Sequence, residues 1–124
     1  MTIHDAINKA KEARLGLFSQ EQIIEWLNTI DGIIKREIID THEGGDNIDF
    51  KGYDDSTPLT VKLLAPSPYD ELYIRYLEMQ MAYSIGESDR HDRSTEAFNA
   101  TYTEFARWYN RTHMPRRKRL KFFR

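Results

Sequence analysis

Histidine and carboxylate side chains are the groups with which this 124-residue chain could do acid–base or metal chemistry, because it contains no cysteine. Two of its four histidines, His42 and His91, have acidic neighbours in sequence. These neighbours are Asp40, Glu43 and Asp46 for the first, and Asp89 and Asp92 for the second. Both stretches are predicted turns, where Asp and His are common for backbone reasons. We interpret both groups as solvated turns and predict no metal site and no cofactor.

Paired carboxylates are the other arrangement that could support acid–base catalysis. Asp54 with Asp55 and Asp40 with Glu43 are such pairs, and we interpret both as exposed loop acids. The sequence has no HExxH, Walker, GxSxG or GxGxxG motif. Without cysteine, it also lacks thiolate zinc ligands, cysteine nucleophiles and disulfides. These observations predict a protein that is not an enzyme.

The last ten residues, PRRKRLKFFR, carry six cations and no acid. Because the whole chain has a net charge of -2, the first 114 residues carry -8. This asymmetry predicts two surfaces with different roles, a domain of residues 1–114 and a basic arm of residues 115–124. The candidate binding residues of the arm are Arg116, Arg117, Lys118, Arg119, Leu120, Lys121, Phe122, Phe123 and Arg124.

Three interpretations of this arm are open. The cations could bind nucleic-acid phosphates in a sequence-independent, salt-sensitive way. They could also form a solvated end with no binding role. Leu120, Phe122 and Phe123 favour the third interpretation, because apolar side chains among cations are costly to leave in water. They suggest an arm that docks into a groove of a protein partner while the cations fix its orientation.

Apolar residues recur at helical spacing in four segments, which predicts four helices. The segments are Ile3 to about Leu15, Gln20 to about Asp40, Tyr69 to about Ile85, and a start between Ser88 and Ser94 to about Arg111. Ser19 and Gln22 have the spacing of a capping box at the start of the second. The fourth carries an aromatic stripe, which we interpret as core rather than as a nucleobase-stacking platform. The stripe contains Phe98, Tyr102, Phe105, Trp108 and Tyr109.

Helical periodicity stops between His42 and Pro68, a stretch rich in glycine and proline. Alternating apolar residues in Leu59–Leu63 leave two interpretations open, an irregular loop or a β-hairpin around Gly52 to Thr57. A connection this long is a second candidate interaction surface. The predicted fold is mainly α, a bundle of about four helices with this middle loop and an extended basic C-terminal tail.

Composition narrows the class of protein further. Hydrophobic residues make up 40% and charged residues 31% of the chain, and the mean hydropathy is -0.70. These values are typical neither of a disordered chain nor of a membrane protein. The N-terminal segment has no uninterrupted apolar run, so we expect no signal peptide and a cytosolic origin.

Several strings resemble the small head–tail connector (adaptor) proteins of long-tailed bacteriophages. They are EQIIEWLNTIDGIIKREIIDTHEG (Glu21–Gly44), FKGY (Phe50–Tyr53), PYDELYIRYLEMQMAYSIGE (Pro68–Glu87) and FNATYTEFARWYNRTHMP (Phe98–Pro115). The resemblance covers Met1 to about Pro115. WYNRTHMP is its most specific string, since helix packing alone does not demand it.

This resemblance implies a structural protein of the virion neck, made in the host cytoplasm, without catalysis or cofactor. Such adaptors form a ring, commonly of twelve copies, under the portal protein. They extend the DNA channel, through which DNA passes without sequence-specific binding, and they offer a platform to the next neck protein. Residues Arg116–Arg124 would then bind portal, with Phe122 and Phe123 as anchors, although the strong charge departs from the family pattern. The alternative from another class is a small nucleic-acid-binding regulatory protein that uses the same basic tail.

Overall fold

The computed structural model describes residues 1–14 and 17–116. Four α-helices account for most of this part, and α2 continues into a single π-helical turn, Lys35–Ile39. The helices are α1 (Ile3–Arg14), α2 (Gln20–Ile34), α3 (Glu71–Ser84) and α4 (Ser88–Thr112). A short 3₁₀ turn, Gly45–Asn47, lies in the middle segment. The prediction of a mainly helical, packed bundle of four helices is confirmed.

The helix ends follow the local chemistry of the sequence. The Ser19 hydroxyl accepts a hydrogen bond from the Gln22 backbone N–H at 3.2 Å, as predicted for the first turn of α2. α3 and α4 are joined by only three residues and pack along each other more extensively than any other pair of elements. The turn between them contains Gly86 with φ +75°. The short turn makes these two helices an antiparallel pair that forms one side of the bundle.

One continuous core unites the helices. The apolar stripe of α2 and the π turn is buried, with at most 5% of each residue exposed; it consists of Ile23, Leu27, Ile30, Ile34 and Ile38. It packs with Ile3 and Ile7 of α1 and with Leu72 of α3. Full burial of such a side chain contributes about 1.5–3 kcal/mol. Among the described helices, none is long and apolar enough to cross a membrane.

The middle segment is irregular, and the alternative of a β-hairpin is wrong. Residues 1–14 and 17–116 contain no strand, only two isolated antiparallel bridges. The alternating segment Leu59–Leu63 pairs with the start of the chain, where the Ile3 N–H donates to the Val61 carbonyl and the His4 N–H to the Leu59 carbonyl, both at 3.0 Å. These are N–H groups that the first turn of a helix leaves unpaired. The segment therefore caps α1 instead of forming a hairpin.

Candidate partner-binding site

The end of α4 lies against the turn that follows the π-helical turn of α2. The Glu43 N–H donates to the Met114 carbonyl at 2.8 Å, and the Arg116 N–H donates to the Thr41 carbonyl at 2.9 Å. His42 and Pro115 face each other in the bridge between these bonds. We call this pairing of residues 41–43 with residues 114–116 the clasp. It fixes the position and direction of the chain at the first residues of the predicted arm.

The buried ring of His42 connects the clasp to both helices. Its Nδ1 is 2.6 Å from the Ile38 carbonyl oxygen, and its Nε2 is 2.7 Å from Asn110 Oδ1 on α4. It packs against Tyr109 in a T-shaped arrangement, with ring centroids 4.8 Å apart. The interpretation of His42 as part of a solvated turn is wrong, because only 4% of the residue is exposed. Both ring nitrogens have hydrogen-bonding partners, so the histidine serves as a buried link between α2 and α4.

Two local features fold the chain back after the π turn. Lys35 Nζ binds the Asp40 carboxylate and donates to the Gly45 carbonyl at 2.8 Å. Gly45 itself lies so close to the preceding helix that an added Cβ would be 2.5 Å from the Ile39 carbonyl oxygen. This close approach requires glycine, and it brings residues 41–43 to the end of α4.

The predicted arm begins at the clasp. Arg116 is exposed, and its guanidinium lies 3.3 Å from the Asp46 carboxylate. Pro115, at the predicted domain boundary, is in the bridge with His42. The remaining candidate residues lie outside the described part of the chain. They are Arg117, Lys118, Arg119, Leu120, Lys121, Phe122, Phe123 and Arg124.

The aromatic stripe of α4 packs into the core, as predicted. Phe105 and Tyr109 are buried, and Phe98, Tyr102 and Trp108 pack against the core while half-buried. The Tyr102 hydroxyl donates to Glu37 at 3.0 Å. The pKa of Tyr102 is raised mainly by burial and also by this bond to the Glu37 carboxylate. The stripe therefore joins α4 to the π-helical turn of α2.

Trp108 also contributes to the surface beside the clasp. Its ring stacks on Tyr69, with centroids 5.0 Å apart and planes at 27°. Beside it on α4, the exposed residues Arg107 and Arg111 border a depression of about 280 Å³ together with Tyr69 and Glu104. The C-terminal end of α4 thus presents cations next to aromatic rings.

The remaining candidate groups lie on α4 and in the middle segment. His91 lies in the first turns of α4 rather than in a loop, and its Nδ1 is 3.6 Å from Asp92. Asp54 accepts hydrogen bonds from the backbone and side chain of Ser56, which lower its pKa. In residues 1–14 and 17–116, no three histidine or acidic side chains are grouped so that they could hold a metal ion.

Sequence reasoning missed the most buried acid of the protein, Asp31. Its Oδ1 accepts from the Tyr73 hydroxyl at 2.5 Å, and its Oδ2 accepts from the Tyr53 hydroxyl at 2.5 Å and the Leu64 N–H at 3.1 Å. No part of the residue is exposed, and burial raises the pKa of this carboxyl despite the three hydrogen bonds. The signal was present in sequence, because Asp31 lies four residues after Leu27 and three before Ile34, on the apolar face of α2.

Comparisons with known proteins give no further assignment. No protein-family model matches the chain, and neither a curated protein nor a solved structure is significantly similar to it.

Proposed function

We propose that this protein is a structural head–tail connector of a bacteriophage, an adaptor that assembles as a ring under the portal protein and extends the DNA channel. The ring would consist of copies of this chain, with the portal protein above and the next neck protein below. The proposal joins the sequence resemblance to the geometry of the clasp. It requires no catalytic residue and no cofactor.

The clasp is the observation that carries this proposal. The helical body is acidic and ends at a fixed point, where residues 114–116 are hydrogen bonded to residues 41–43. The eight residues that follow contain five cations and the three apolar side chains Leu120, Phe122 and Phe123. A rigid platform that holds the start of a cationic, aromatic segment is suited to a partner with an acidic surface and an apolar groove.

Removal of residues 117–124 tests the proposal and leaves the clasp intact. Residues 1–116 should keep the helix content and the melting temperature of the full chain, because they include every residue of the clasp. The full chain should co-purify with the portal protein encoded in the same genome, and the truncated chain should not. Equal capture of portal by both proteins would contradict the assignment of the arm.

Two variants of the arm separate its charge from its apolar residues. In the first, Phe122→Ala with Phe123→Ala, all cations remain, whereas in the second, Arg117→Gln with Arg119→Gln, both phenylalanines remain. We expect loss of portal capture from the first variant and weaker, more salt-sensitive capture from the second. Unchanged capture by the phenylalanine variant would contradict their role as anchors.

The positive charge of residues 117–124 would also suit a second function, that of a small nucleic-acid-binding regulatory protein. Titration with random duplex DNA at about 50 and 200 mM salt distinguishes the two functions. An adaptor should bind the duplex negligibly, because its body repels phosphate. Tight binding that falls steeply with salt would support the regulatory protein instead.

A further inference from the structure

The last turns of α4 carry a cationic face that is separate from the arm. Arg107 and Arg111 lie one helical turn apart, both are exposed, and neither has an ion-pair partner among the described residues. Tyr69 and Trp108, stacked and half-buried, lie beside them. We call these four residues the α4 face, and Glu104 is the one acid in the described part of the chain that borders its depression. Arginine next to aromatic rings is enriched at the centres of protein interfaces.

The distribution of charge along the chain defines what this face would attract. From Phe105 to Arg124 there are eight cations and no acid, so the first 104 residues carry a net charge of -10. The charge asymmetry therefore extends beyond the arm and into α4. The strongly negative part of the same molecule is a suitable electrostatic partner for the α4 face.

An acidic surface that could attract the arginines of the α4 face is formed by α2 and the middle segment. Glu21 and Glu25, both on α2, border one depression of about 270 Å³ with Asp54 and Asp55 of the middle segment. Tyr53 also lines this depression and supplies an apolar surface there. We call this the α2 face, and it shares no residue with the α4 face. Two different, complementary surfaces on one chain are what a head-to-tail interface requires.

We propose that the α4 face of one copy docks on the α2 face of the next copy. Arg107 and Arg111 would pair with the carboxylates, and Trp108 and Tyr69 would pack beside Tyr53. The inference rests on the proposed ring and names the surfaces that close it. A second copy is favoured over DNA as the occupant, because the -10 charge of the first 104 residues repels phosphate and attracts arginine.

Charge reversal tests this interface. Arg107→Glu with Arg111→Glu should weaken self-association by at least about tenfold in sedimentation equilibrium at low salt. The matched control, Arg90→Glu with Arg93→Glu, makes the same change of charge at the other end of α4 and should stay within about twofold of the wild type. Adding Glu21→Arg and Glu25→Arg to the first variant exchanges the two charges across the interface and should restore self-association.

Cysteine cross-linking gives an independent readout, because the natural chain has no thiol. A mixture of Arg111→Cys and Asp55→Cys chains should form a disulfide-linked pair, whereas Arg93→Cys with Asp55→Cys should not. Three results would overturn the inference: a wild type that stays monomeric at low salt, no effect of the Arg107/Arg111 reversal on self-association, or a reversal that removes only DNA binding. Portal capture by the full chain is scored separately, so loss of this interface and failure of the adaptor function are distinguishable.

Discussion

Replacing Asp31 by alanine tests the claim that one buried carboxylate holds the middle segment against the bundle. The substitution removes the acceptor for three donors, the hydroxyls of Tyr53 and Tyr73 and the Leu64 N–H. Tyr53 is half-buried, and its O–H can rotate away from position 31, which a backbone N–H cannot do, so we leave Tyr53 out of the cost. Tyr73 is fully buried and Leu64 is half-buried, and the Leu64 N–H has no other acceptor among the described residues.

The expected cost follows from these two orphaned donors. A buried donor left without a partner costs about 1–3 kcal/mol, and we give the half-buried Leu64 N–H the same range because its direction is fixed, so the two donors together cost about 2–6 kcal/mol. Removal of a carboxylate that is itself unfavourably buried offsets part of this cost. We expect a loss of about 3 kcal/mol in the free energy of unfolding, measured by urea denaturation followed by circular dichroism.

Two further variants make this result specific. Tyr53→Phe removes one half-buried donor and leaves the other two bonds in place, so it should cost about 1.5 kcal/mol. Asp55→Ala removes an exposed acid and should change the unfolding free energy by less than about 0.5 kcal/mol. A loss below about 1 kcal/mol for Asp31→Ala would refute the reasoning, because the network would then contribute no more than an ordinary exposed hydrogen bond.

Three other predictions concern the same fold. Burial raises the pKa of Asp31 above its ordinary value of 3.8, so as the pH rises this carboxyl ionises in the unfolded chain before it ionises in the folded one. The difference in unfolding free energy between wild type and Asp31→Asn, measured by urea melts, should therefore be largest below about pH 4 and shrink above it. A difference that grows with pH would contradict the direction of the shift. Gly45→Ala should lower the free energy of unfolding by at least about 2 kcal/mol in the same melts, because its Cβ would be 2.5 Å from the Ile39 carbonyl oxygen. The control is Gly86→Ala, whose Cβ would meet nothing within 4 Å. It should cost only about 1 kcal/mol, because Gly86 has a positive φ. Trp108→Ala should lower the free energy of unfolding by about 2 kcal/mol, because the ring is only half-buried against Tyr69. A fully buried aromatic residue would cost about 3–5 kcal/mol. A loss above about 4 kcal/mol would place Trp108 in the core and remove it from the α4 face.

The helical part of the fold was predictable because its signals are local. The periodic apolar residues of α2 and α4 and the Ser19 cap each specify structure within a few residues of chain. The middle segment carries a local pattern that suggests a hairpin, yet Leu59–Leu63 pairs with residues at the start of α1. No short-range rule reports a partner almost sixty residues away, so the pairing could be found only from the folded chain.

The candidate site was predictable only in part for a related reason. The cationic arm is a property of composition and is evident in sequence, whereas the clasp depends on His42 meeting Asn110 across 68 positions. A histidine among acids in a glycine-rich segment has the pattern of a solvated turn. Its burial follows from the π turn and the close approach of Gly45, which are features of the assembled backbone.

Electron microscopy of the full chain mixed with the portal protein from the same genome tests the central claim most directly. The account predicts a ring of added density at one end of the portal channel, built from repeated copies of a four-helix body. The chain that ends at Arg116 should leave the portal particles bare under identical conditions. Bare portal particles at saturating concentrations of the full chain would contradict the assignment as a head–tail connector.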